Sequence, residues 1–342
     1  KIKQNLATIK ESPTFSAPSI LFRMDQAAQL ARISTVVADT GEVELIKKHR
    51  PVDSTTNPSL LLKAVQLDAY SDMVSQAVTE AKASAEHNDK DSLVSEAMDC
   101  LAVAFGVQIL KIIPGLVSTE IDARMSFDTK ATVAKARHVI ELYKQKGISQ
   151  DRVLIKLAST WEGLQAAEIL EKEGIHCNMT LLFSLCQAVQ AARVGATLIS
   201  PFVGRITDWH KKANGIDHYD VNDDPGVISV REIYAYYKTF GHKTVIMGAS
   251  FRSKQQVLAL AGCDKLTISP ALLSELAAST DKVEQILNPD QTSDSIKQLK
   301  FTESSFRWAL NEDTCATEKL AEGIRRFAAD TSKLESMIRG VI

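Results

Sequence analysis

The chain has 342 residues, of which 45% are hydrophobic and 24% are charged, and its formal net charge is −2. This length suits one large α/β barrel with additional helices, and the composition is ordinary for a globular protein. The nearly balanced charge favours neither nucleic-acid binding nor membrane-surface binding, and no apolar run reaches the roughly 20 residues of a membrane span.

The N-terminal residues and the cysteines both bear on where the protein is located. Residues 1–23 are polar apart from a short apolar patch at 20–22 and lack the hydrophobic segment of a secretory signal. We interpret them as an N-terminal extension, either disordered or left from an expression tag, with a native extension or a transit remnant as alternatives. Residues 24–342 then form a single domain. The five cysteines form no CxxC pair, which predicts reduced thiols and a cytoplasmic protein.

Short β-branched segments alternate with amphipathic helical segments from about residue 30 to 280. The predicted strands are 33–38, 52–55, 117–121, 153–157, 177–183, 197–202, 244–247 and 265–269. Helical periodicity is clear at 129–146 and 161–173, and Gly147, Gly174, Gly195 and Gly262 mark predicted helix ends. Eight such units predict a (β/α)₈ TIM barrel, with an open doubly wound sheet as the alternative.

The rest of the chain is predicted to be irregular or helical. Residues 214–226 are the longest irregular stretch that the pattern indicates. The tail at 271–342 is polar, has helical periodicity and carries no strand signal. We expect these additional C-terminal helices to pack on the outside of the barrel.

Most predicted strands end in polar residues. Because TIM barrels place their chemistry at the C-terminal ends of the strands, these side chains are candidates for an active site. They are Asp39, Thr55, Asn57, Glu120, Lys156, Asn178, Thr180, Ser200, Arg205, Ser250 and Arg252.

Lys156 is the most informative of these residues, because it lies within the apolar string VLIKLAS. Alternation places it on the same face of the strand as Leu154 and Ala158. Loss of hydration inside a barrel favours the neutral amine, which can attack a ketone to form an iminium. The alternative is a structural lysine with its amine in solvent, as expected for Lys111 and Lys265 in similar strings.

Carboxylates and guanidiniums supply the other groups that such chemistry needs. Glu120 and Asp39 could divide the acid–base work, or each could instead form a structural ion pair. Arg205 and Arg252 follow neighbouring strands and suit a sugar phosphate, although surface arginines are common. The histidines form no HExxH motif, and GxSxG and P-loop motifs are absent from the sequence. We therefore expect no metal site.

Several longer strings resemble the transaldolase family, in the order in which that family has them. They are STVVADTG (34–41), DSTTNPSL (53–60), VSTEIDARMSFD (117–128), VLIKLASTWEG (153–163), CNMTLLFS (177–184), LISPFVGRITDW (198–209), VIMGASFR (245–252), AGCDKLTISP (261–270) and WALNEDTCATEKLAEGIRRFA (308–328). The resemblance covers the chain from about Met24 to its C-terminus. One departure is Leu116 in PGLVSTE, where the family commonly has arginine. We expect this change to lie away from the chemistry and to weaken an outer ion pair.

The resemblance implies a role for each matching residue. Lys156 would form the Schiff base, Glu120 would activate the water, and Asp39 would take the proton of the C4 hydroxyl. Further residues would hold the substrate: Asn57, Asn178 and Thr180 the dihydroxyacetone moiety and the water, Ser250, Arg205 and Arg252 the phosphate, and Thr55, Ser200 and Phe202 the pocket wall. It also implies sugar-phosphate substrates, no cofactor, and a homodimer.

The implied reaction moves a dihydroxyacetone unit from sedoheptulose 7-phosphate to glyceraldehyde 3-phosphate, in the non-oxidative pentose phosphate pathway. Two alternatives remain open. The first is an aldolase that releases free dihydroxyacetone, although related fructose-6-phosphate aldolases resemble Tyr and Gln at the places of Phe202 and Glu120. The second is a binding protein on a barrel that has lost its activity, which the intact set of Asp39, Glu120 and Lys156 disfavours.

Overall fold

The structure is a computed structural model that describes residues 24–84, 89–290 and 292–342. The interpretation of residues 1–23 as an extension lies outside the described residues.

Eight parallel strands close into a barrel in which every strand pairs with its neighbours in the sequence, and β1 pairs with β8. The prediction of a (β/α)₈ barrel is therefore confirmed, and the strands lie within two residues of their predicted ends. They are β1 (Thr35–Asp39), β2 (Asp53–Thr55), β3 (Val117–Glu120), β4 (Val153–Ala158), β5 (Cys177–Leu182), β6 (Leu198–Pro201), β7 (Val245–Gly248) and β8 (Lys265–Ile268).

Fourteen helices within the described residues surround or cover this barrel. They are α1 (Gln26–Leu30), α2 (Val43–His49), α3 (Pro58–Ala64), α4 (Ser71–Ala83), α5 (Lys90–Leu110), α6 (Thr129–Gln145), α7 (Trp161–Lys172), α8 (Leu185–Arg193), α9 (Val203–Asn214), α10 (Pro225–Thr239), α11 (Lys254–Leu258), α12 (Pro270–Ala277), α13 (Glu303–Glu312) and α14 (Thr314–Arg339). Gly147, Gly174 and Gly195 have φ of 75°, 74° and 79°, in the left-handed region that glycine tolerates, just after α6, α7 and α8.

The barrel interior below the active-site end is filled by a layer of apolar side chains. Val37, Leu154, Leu198 and Met247 form one buried cluster, contributed by β1, β4, β6 and β7. Leu116 packs against this cluster, so the residue that departs from the family pattern lies at the floor of the barrel and away from its C-terminal end. Since Lys156 follows Leu154 by two positions, it lies one layer above this floor.

The C-terminal tail differs from its prediction in two respects. Residues 278–302 form no helix wherever the structure describes them, and this irregular stretch is longer than the 215–224 loop. In addition, α14 does not lie on the outside of the barrel wall. It contacts α3, α5, α9 and β5, and therefore crosses the end of the barrel where the strands finish. Its apolar face, with Leu320, Ile324 and Phe327, packs over that end.

The longest helix before the tail, α5, has the length and composition of a membrane span, with a mean hydropathy of 1.6. Half of the most apolar stretch is buried within the fold, where α5 packs against α4, β3, α6 and α14. A core helix of a globular domain has these same properties, so this helix by itself is weak evidence for a membrane.

Candidate active site

Lys156 and Glu120 form a buried pair at the C-terminal end of the barrel. Glu120 is the last residue of β3 and lies beside Lys156 of β4, which in turn lies beside Asn178 of β5. Lys156 Nζ is 3.0 Å from Glu120 Oε2, and the two side chains are only 5% and 4% exposed. Lys156 Nζ also donates a hydrogen bond of 3.3 Å to the carbonyl of Thr56. The amine therefore points into the barrel, and the alternative of a solvent-exposed lysine is excluded.

Two effects of opposite sign act on the Glu120 carboxyl. Burial raises its pKa above the ordinary glutamate value, while the neighbouring Lys156 lowers it. Burial is the larger of the two effects, so the net shift of the pKa is upwards. Because the carboxyl and the amine are 3.0 Å apart, a proton can pass directly between them. This arrangement can deliver both a nucleophilic amine and an acid.

Asp39 is the second buried carboxyl of the site, at the end of β1. Burial raises its pKa, and the nearby Lys156 and the hydroxyl of Thr55 oppose that shift. Thr55 Oγ1 donates to Asp39 Oδ1 over 3.1 Å and lies 2.9 Å from Thr267 Oγ1 on β8. The three strand ends β1, β2 and β8 thus orient one carboxyl group towards the barrel axis.

A second chain of polar groups joins β3, β5 and β6. Asn178 donates through its amide nitrogen to Ser118 Oγ over 3.0 Å, and its amide oxygen accepts from Ser200 Oγ over 2.6 Å. Both contacts fix the orientation of the Asn178 side chain. The buried hydroxyl of Thr180 has no hydrogen-bond partner among the described residues. A buried hydroxyl of this kind is costly unless a water or a ligand satisfies it, so Thr180 is available to bind one.

The outer part of the site is positively charged. Arg205 lies over the rings of Phe202 and Phe327, with its guanidinium carbon 4.8 Å and 5.5 Å from their centroids. Burial, together with the charges of Arg326 and Arg252, lowers the pKa of Arg205 to about 10. No carboxylate of the described residues forms an ion pair with Arg205. This partly buried cation therefore favours an anionic ligand.

Ser250 and Arg252 lie on the loop after β7. Arg252 donates to Asp208 Oδ2 over 2.8 Å, and its Nη1 donates to the Ser250 carbonyl over 3.1 Å. Ser250 has a φ of 60°, which is rare for a residue with a side chain and indicates a backbone held by its surroundings. Gly204 permits this close approach, since a Cβ atom there would lie 2.4 Å from the Ser250 carbonyl oxygen.

Most of the candidate residues share one pocket of about 370 Å³ at the C-terminal end of the barrel, which we call the mouth. Eight of them line it: Asp39, Thr55, Asn57, Lys156, Ser200, Phe202, Arg205 and Ser250. The other four are Glu120, Asn178, Thr180 and Arg252. Three of these contact a residue of the mouth directly, through the bonds described above. The fourth, Thr180, lies beside Ala158 in the sheet.

Sequence reasoning missed three residues that contribute to this site. Thr267 lines the mouth and contacts Thr55, and a polar residue within the string KLTIS was a signal for it. Phe327 and Arg326 reach Arg205 from α14, which is distant in the sequence. No local pattern marked them, because the position of α14 over the barrel is a property of the tertiary packing.

Of the two lysines expected to have their amines in solvent, Lys111 is exposed, whereas Lys265 is largely buried in an ion pair. Lys265 pairs with Asp53, away from the mouth, and Arg124 pairs with Asp122 at 2.5 Å. Asp122 is therefore not the partner of Lys156. This pairing leaves Glu120 as the carboxylate that contacts the buried amine.

One cluster outside the mouth has the spacing of metal ligands. Glu96, Asp99 and His138 bring their ligand atoms within 4.8 Å of one another. However, Lys135 Nζ lies 2.5 Å from Asp99 Oδ2, and His138 Nε2 lies 2.8 Å from Glu96 Oε2. Since a resident ammonium already balances this charge, the cluster is better described as an ion-pair network between α5 and α6 than as a metal site.

A closed (β/α)₈ barrel with a buried lysine–glutamate pair and a second carboxyl at its mouth defines the class of lysine-dependent barrel enzymes. Residues 36–338 match the family described as Transaldolase/Fructose-6-phosphate aldolase. The chain belongs to that family.

Similar proteins from bacteria and from an animal support this family assignment. The chain is 56% identical over 315 residues to a transaldolase of Alteromonas mediterranea, an alignment that covers 92% of this chain and 98% of the relative. It is 55% identical over 315 residues to a transaldolase of Vibrio cholerae, with the same coverage of 92% and 98%. It is also 54% identical over 319 residues to a probable transaldolase of Drosophila melanogaster, covering 93% and 96%.

Proposed function

We propose that this chain is a transaldolase that uses Lys156 as its Schiff-base residue. The reaction transfers a dihydroxyacetone unit from sedoheptulose 7-phosphate to glyceraldehyde 3-phosphate and yields erythrose 4-phosphate and fructose 6-phosphate. This is a step of the non-oxidative pentose phosphate pathway. The observation that carries the proposal is the 3.0 Å contact between the buried Lys156 amine and Glu120, next to Asp39.

The first step forms the iminium. The amine of Lys156 attacks the C2 carbonyl of the donor ketose, one N–H proton passes to the carbonyl oxygen, and a carbinolamine results. Glu120 then donates its proton to the C2 hydroxyl, which leaves as water while the nitrogen lone pair forms the C=N bond. The raised pKa of the Glu120 carboxyl suits this role, because the acid must hold its proton until the hydroxyl leaves.

The second step breaks the C3–C4 bond. Asp39 takes the proton of the C4 hydroxyl, the aldehyde product forms at C4, and the bonding electrons move into the iminium to give an enamine. The acceptor aldehyde then adds to C3 of the enamine, and Asp39 returns the proton to the new hydroxyl. Water attack on the resulting iminium, with Glu120 as the base, releases the product ketose and the lysine.

Substrate binding follows from the remaining polar groups. Asn57, Asn178 and Thr180 would hold the hydroxyls of the dihydroxyacetone unit and the reacting water. Arg205, Ser250 and Arg252 would bind the phosphate, supported by the fact that Arg205 forms no ion pair with the described residues. Thr55, Ser200 and Phe202 would form the wall of the pocket. No metal or organic cofactor is needed for these steps, since the iminium itself is the electron sink.

The test is reductive trapping with borohydride in the presence of fructose 6-phosphate. We expect a stable mass adduct on the peptide that contains Lys156. Lys156→Ala should give no adduct and lose transfer activity, while Lys265→Ala, a change at a lysine outside the mouth, should keep the adduct. Trapping on another lysine, or activity in Lys156→Ala, would reject the assignment.

The family also contains fructose-6-phosphate aldolases, so release of free dihydroxyacetone is the competing activity. Phe202 and Glu120 favour transfer, because the related aldolases resemble Tyr and Gln at these places. An assay with fructose 6-phosphate but without an aldehyde acceptor separates the two reactions. Transfer predicts little free dihydroxyacetone until an acceptor is added, whereas steady release would identify an aldolase.

The assembly and location of the protein are part of the same proposal. We expect a homodimer in the cytoplasm, on the basis of the family resemblance and the five free cysteines. Light scattering coupled to size-exclusion chromatography measures the mass directly. A mass of one chain at micromolar concentration would contradict the dimer.

A further inference from the structure

A second pocket of about 630 Å³ reaches Glu120 from outside the barrel, between α3, α5, α6 and α14. We call it the side pocket. Its barrel end contains Thr56, Asn57 and Glu120, and it extends to Ser95, which is exposed on the surface of α5. Lys156 lines the mouth and not the side pocket, whereas Glu120 lines the side pocket and not the mouth. Glu120 and Asn57 thus separate the two pockets.

Both polar contacts that the described residues make with the Lys156 amine come from residues that line the side pocket. Its ion-pair partner Glu120 and its hydrogen-bond acceptor, the Thr56 carbonyl, each line the side pocket. The reacting amine is therefore separated from the side pocket by a single layer of side chains. A small molecule in the side pocket can reach the Glu120 carboxyl without passing through the mouth.

The side chains that line the side pocket determine which kind of molecule it can hold. Asp99 and Lys135 give the side pocket charged groups, and Met98, Ala102 and Leu334 give it apolar walls. Lys135, the one cation of the lining, pairs with Asp99, and the lining carboxylates Asp122 and Glu335 pair with Arg124. No unpaired cation of this lining attracts a phosphate, so a second sugar phosphate does not fit. Water is the small molecule that suits a pocket with polar groups at its barrel end and paired charges along its walls.

We propose that the side pocket is the route by which water leaves and enters the active site during catalysis. This inference rests on the proposed function. The donor fills the mouth when the carbinolamine forms, so the expelled hydroxyl, protonated by Glu120, needs another exit. In the reverse direction, a water from the side pocket loses a proton to Glu120 while its oxygen attacks the iminium carbon, and the C=N bond becomes the C–N bond of the carbinolamine.

The test is to fill the side pocket without changing any residue of the active site. Ala102 of α5 is half-buried and lines the side pocket, so Ala102→Phe narrows it. Ala104 lies two residues later on the same helix, is also half-buried, and lines a different pocket formed with α2 and α4. Ala104→Phe is therefore the matched control.

The measurement separates ketose release, which needs water, from aldehyde consumption, which does not. Chain loaded with dihydroxyacetone from fructose 6-phosphate is mixed with the acceptor aldehyde in a quenched-flow instrument. In Ala102→Phe we expect ketose release, which requires hydrolysis, to slow about tenfold, while aldehyde consumption keeps its rate. Enzyme-dependent exchange of ¹⁸O from the donor carbonyl into water should slow by the same factor. Ala104→Phe should behave as the unaltered chain in all three measurements.

Further readouts exclude a displaced Glu120 and a misfolded chain. The pH dependence of ketose release should stay the same in Ala102→Phe, since a blocked route leaves the pKa of Glu120 unchanged. If Ala102→Phe does not fold, Met98→Trp tests the same pocket from the preceding turn of α5. Unchanged ketose release and ¹⁸O exchange in a folded variant, or an equal loss in aldehyde consumption, would overturn the water route. A lack of any borohydride adduct in the unaltered chain would instead overturn the role of Lys156.

Discussion

Individual residues around Lys156 are arranged so that burial and charge have opposite effects on the pKa of their carboxyls. Asp39 and Glu120 are both buried, and in each case burial raises the pKa of the carboxyl while Lys156 opposes the shift. Their partners differ, since Glu120 contacts the amine itself and Asp39 accepts from the Thr55 hydroxyl. Two carboxyls near the same amine can therefore perform different proton transfers.

The Thr55 hydroxyl gives a prediction for the pH dependence of catalysis. Its hydrogen bond lowers the pKa of Asp39, so Thr55→Val should raise that pKa further. As the base, Asp39 must be deprotonated, and the acidic limb of the kcat profile should move to higher pH. The expected shift is about one pH unit, because a hydrogen bond to a charged group contributes roughly 1.5 kcal/mol and one unit corresponds to about 1.4 kcal/mol.

Thr55→Ser is the control for this change, since it keeps the hydroxyl and removes only a methyl group. Its acidic limb should stay where the unaltered chain has it. An acidic limb that does not move in Thr55→Val would show that Asp39 is not the base that limits the rate at low pH.

The sequence was most informative about the positions of single residues. The side chain of Lys156 had to point inward because an alternating strand placed it with Leu154, and the structure agrees. The partner of that lysine could not be deduced from local pattern alone. Asp122 and Glu120 are two residues apart, and only the register of β3 against β4 places Glu120 beside the amine.

Among the elements, α14 is the one whose position the sequence did not reveal. An amphipathic pattern shows that one face of a helix is buried, but not what buries it. The helix is 26 residues long and crosses the mouth, where Phe327 contacts Arg205. The strands were easier to predict, because β-branched runs bounded by glycine have few alternatives within a repeating βα pattern.

A substitution at Gly323 tests how closely α14 must approach the mouth. A Cβ atom there would lie 2.6 Å from Leu181 Cδ2 and 3.3 Å from Arg205 Nη1. Leu181 has a φ of 51° in β5 and is fully buried, so it has little room to move. Gly323→Val should therefore destabilise the fold by about 1–3 kcal/mol and raise the KM for phosphorylated donors by displacing Arg205.

The matched change on the same helix is Ala329→Val, which adds a β-branched side chain at an exposed position. It should cost only the small difference in helix propensity, about 0.7 kcal/mol or less. Donor KM and thermal unfolding of the two variants are compared with the unaltered chain. An unchanged KM in a stably folded Gly323→Val would mean that α14 does not position Arg205.

For the molecule as a whole, the five thiols report on opening of the fold. All five cysteines are buried and free, and they are distributed over the barrel and its helices: Cys100, Cys177, Cys186, Cys263 and Cys315. Burial raises the pKa of Cys100, Cys263 and Cys315 to about 12, so little thiolate is present at pH 8. A thiol reagent can therefore react only when the surrounding structure opens.

Native chain treated with an aromatic disulfide reagent at pH 8 should react at least ~100-fold more slowly than chain unfolded in guanidinium chloride, which corresponds to opening free energies of about 3 kcal/mol or more. Five thiols should react after unfolding. Cys263, next to β8, should be the slowest if the barrel opens as one unit, and Cys315, at the start of α14, should react earlier if that helix leaves the mouth first. Equal rates for these two thiols would mean that α14 and the barrel open together, and a thiol that reacts at the unfolded rate would contradict the buried arrangement.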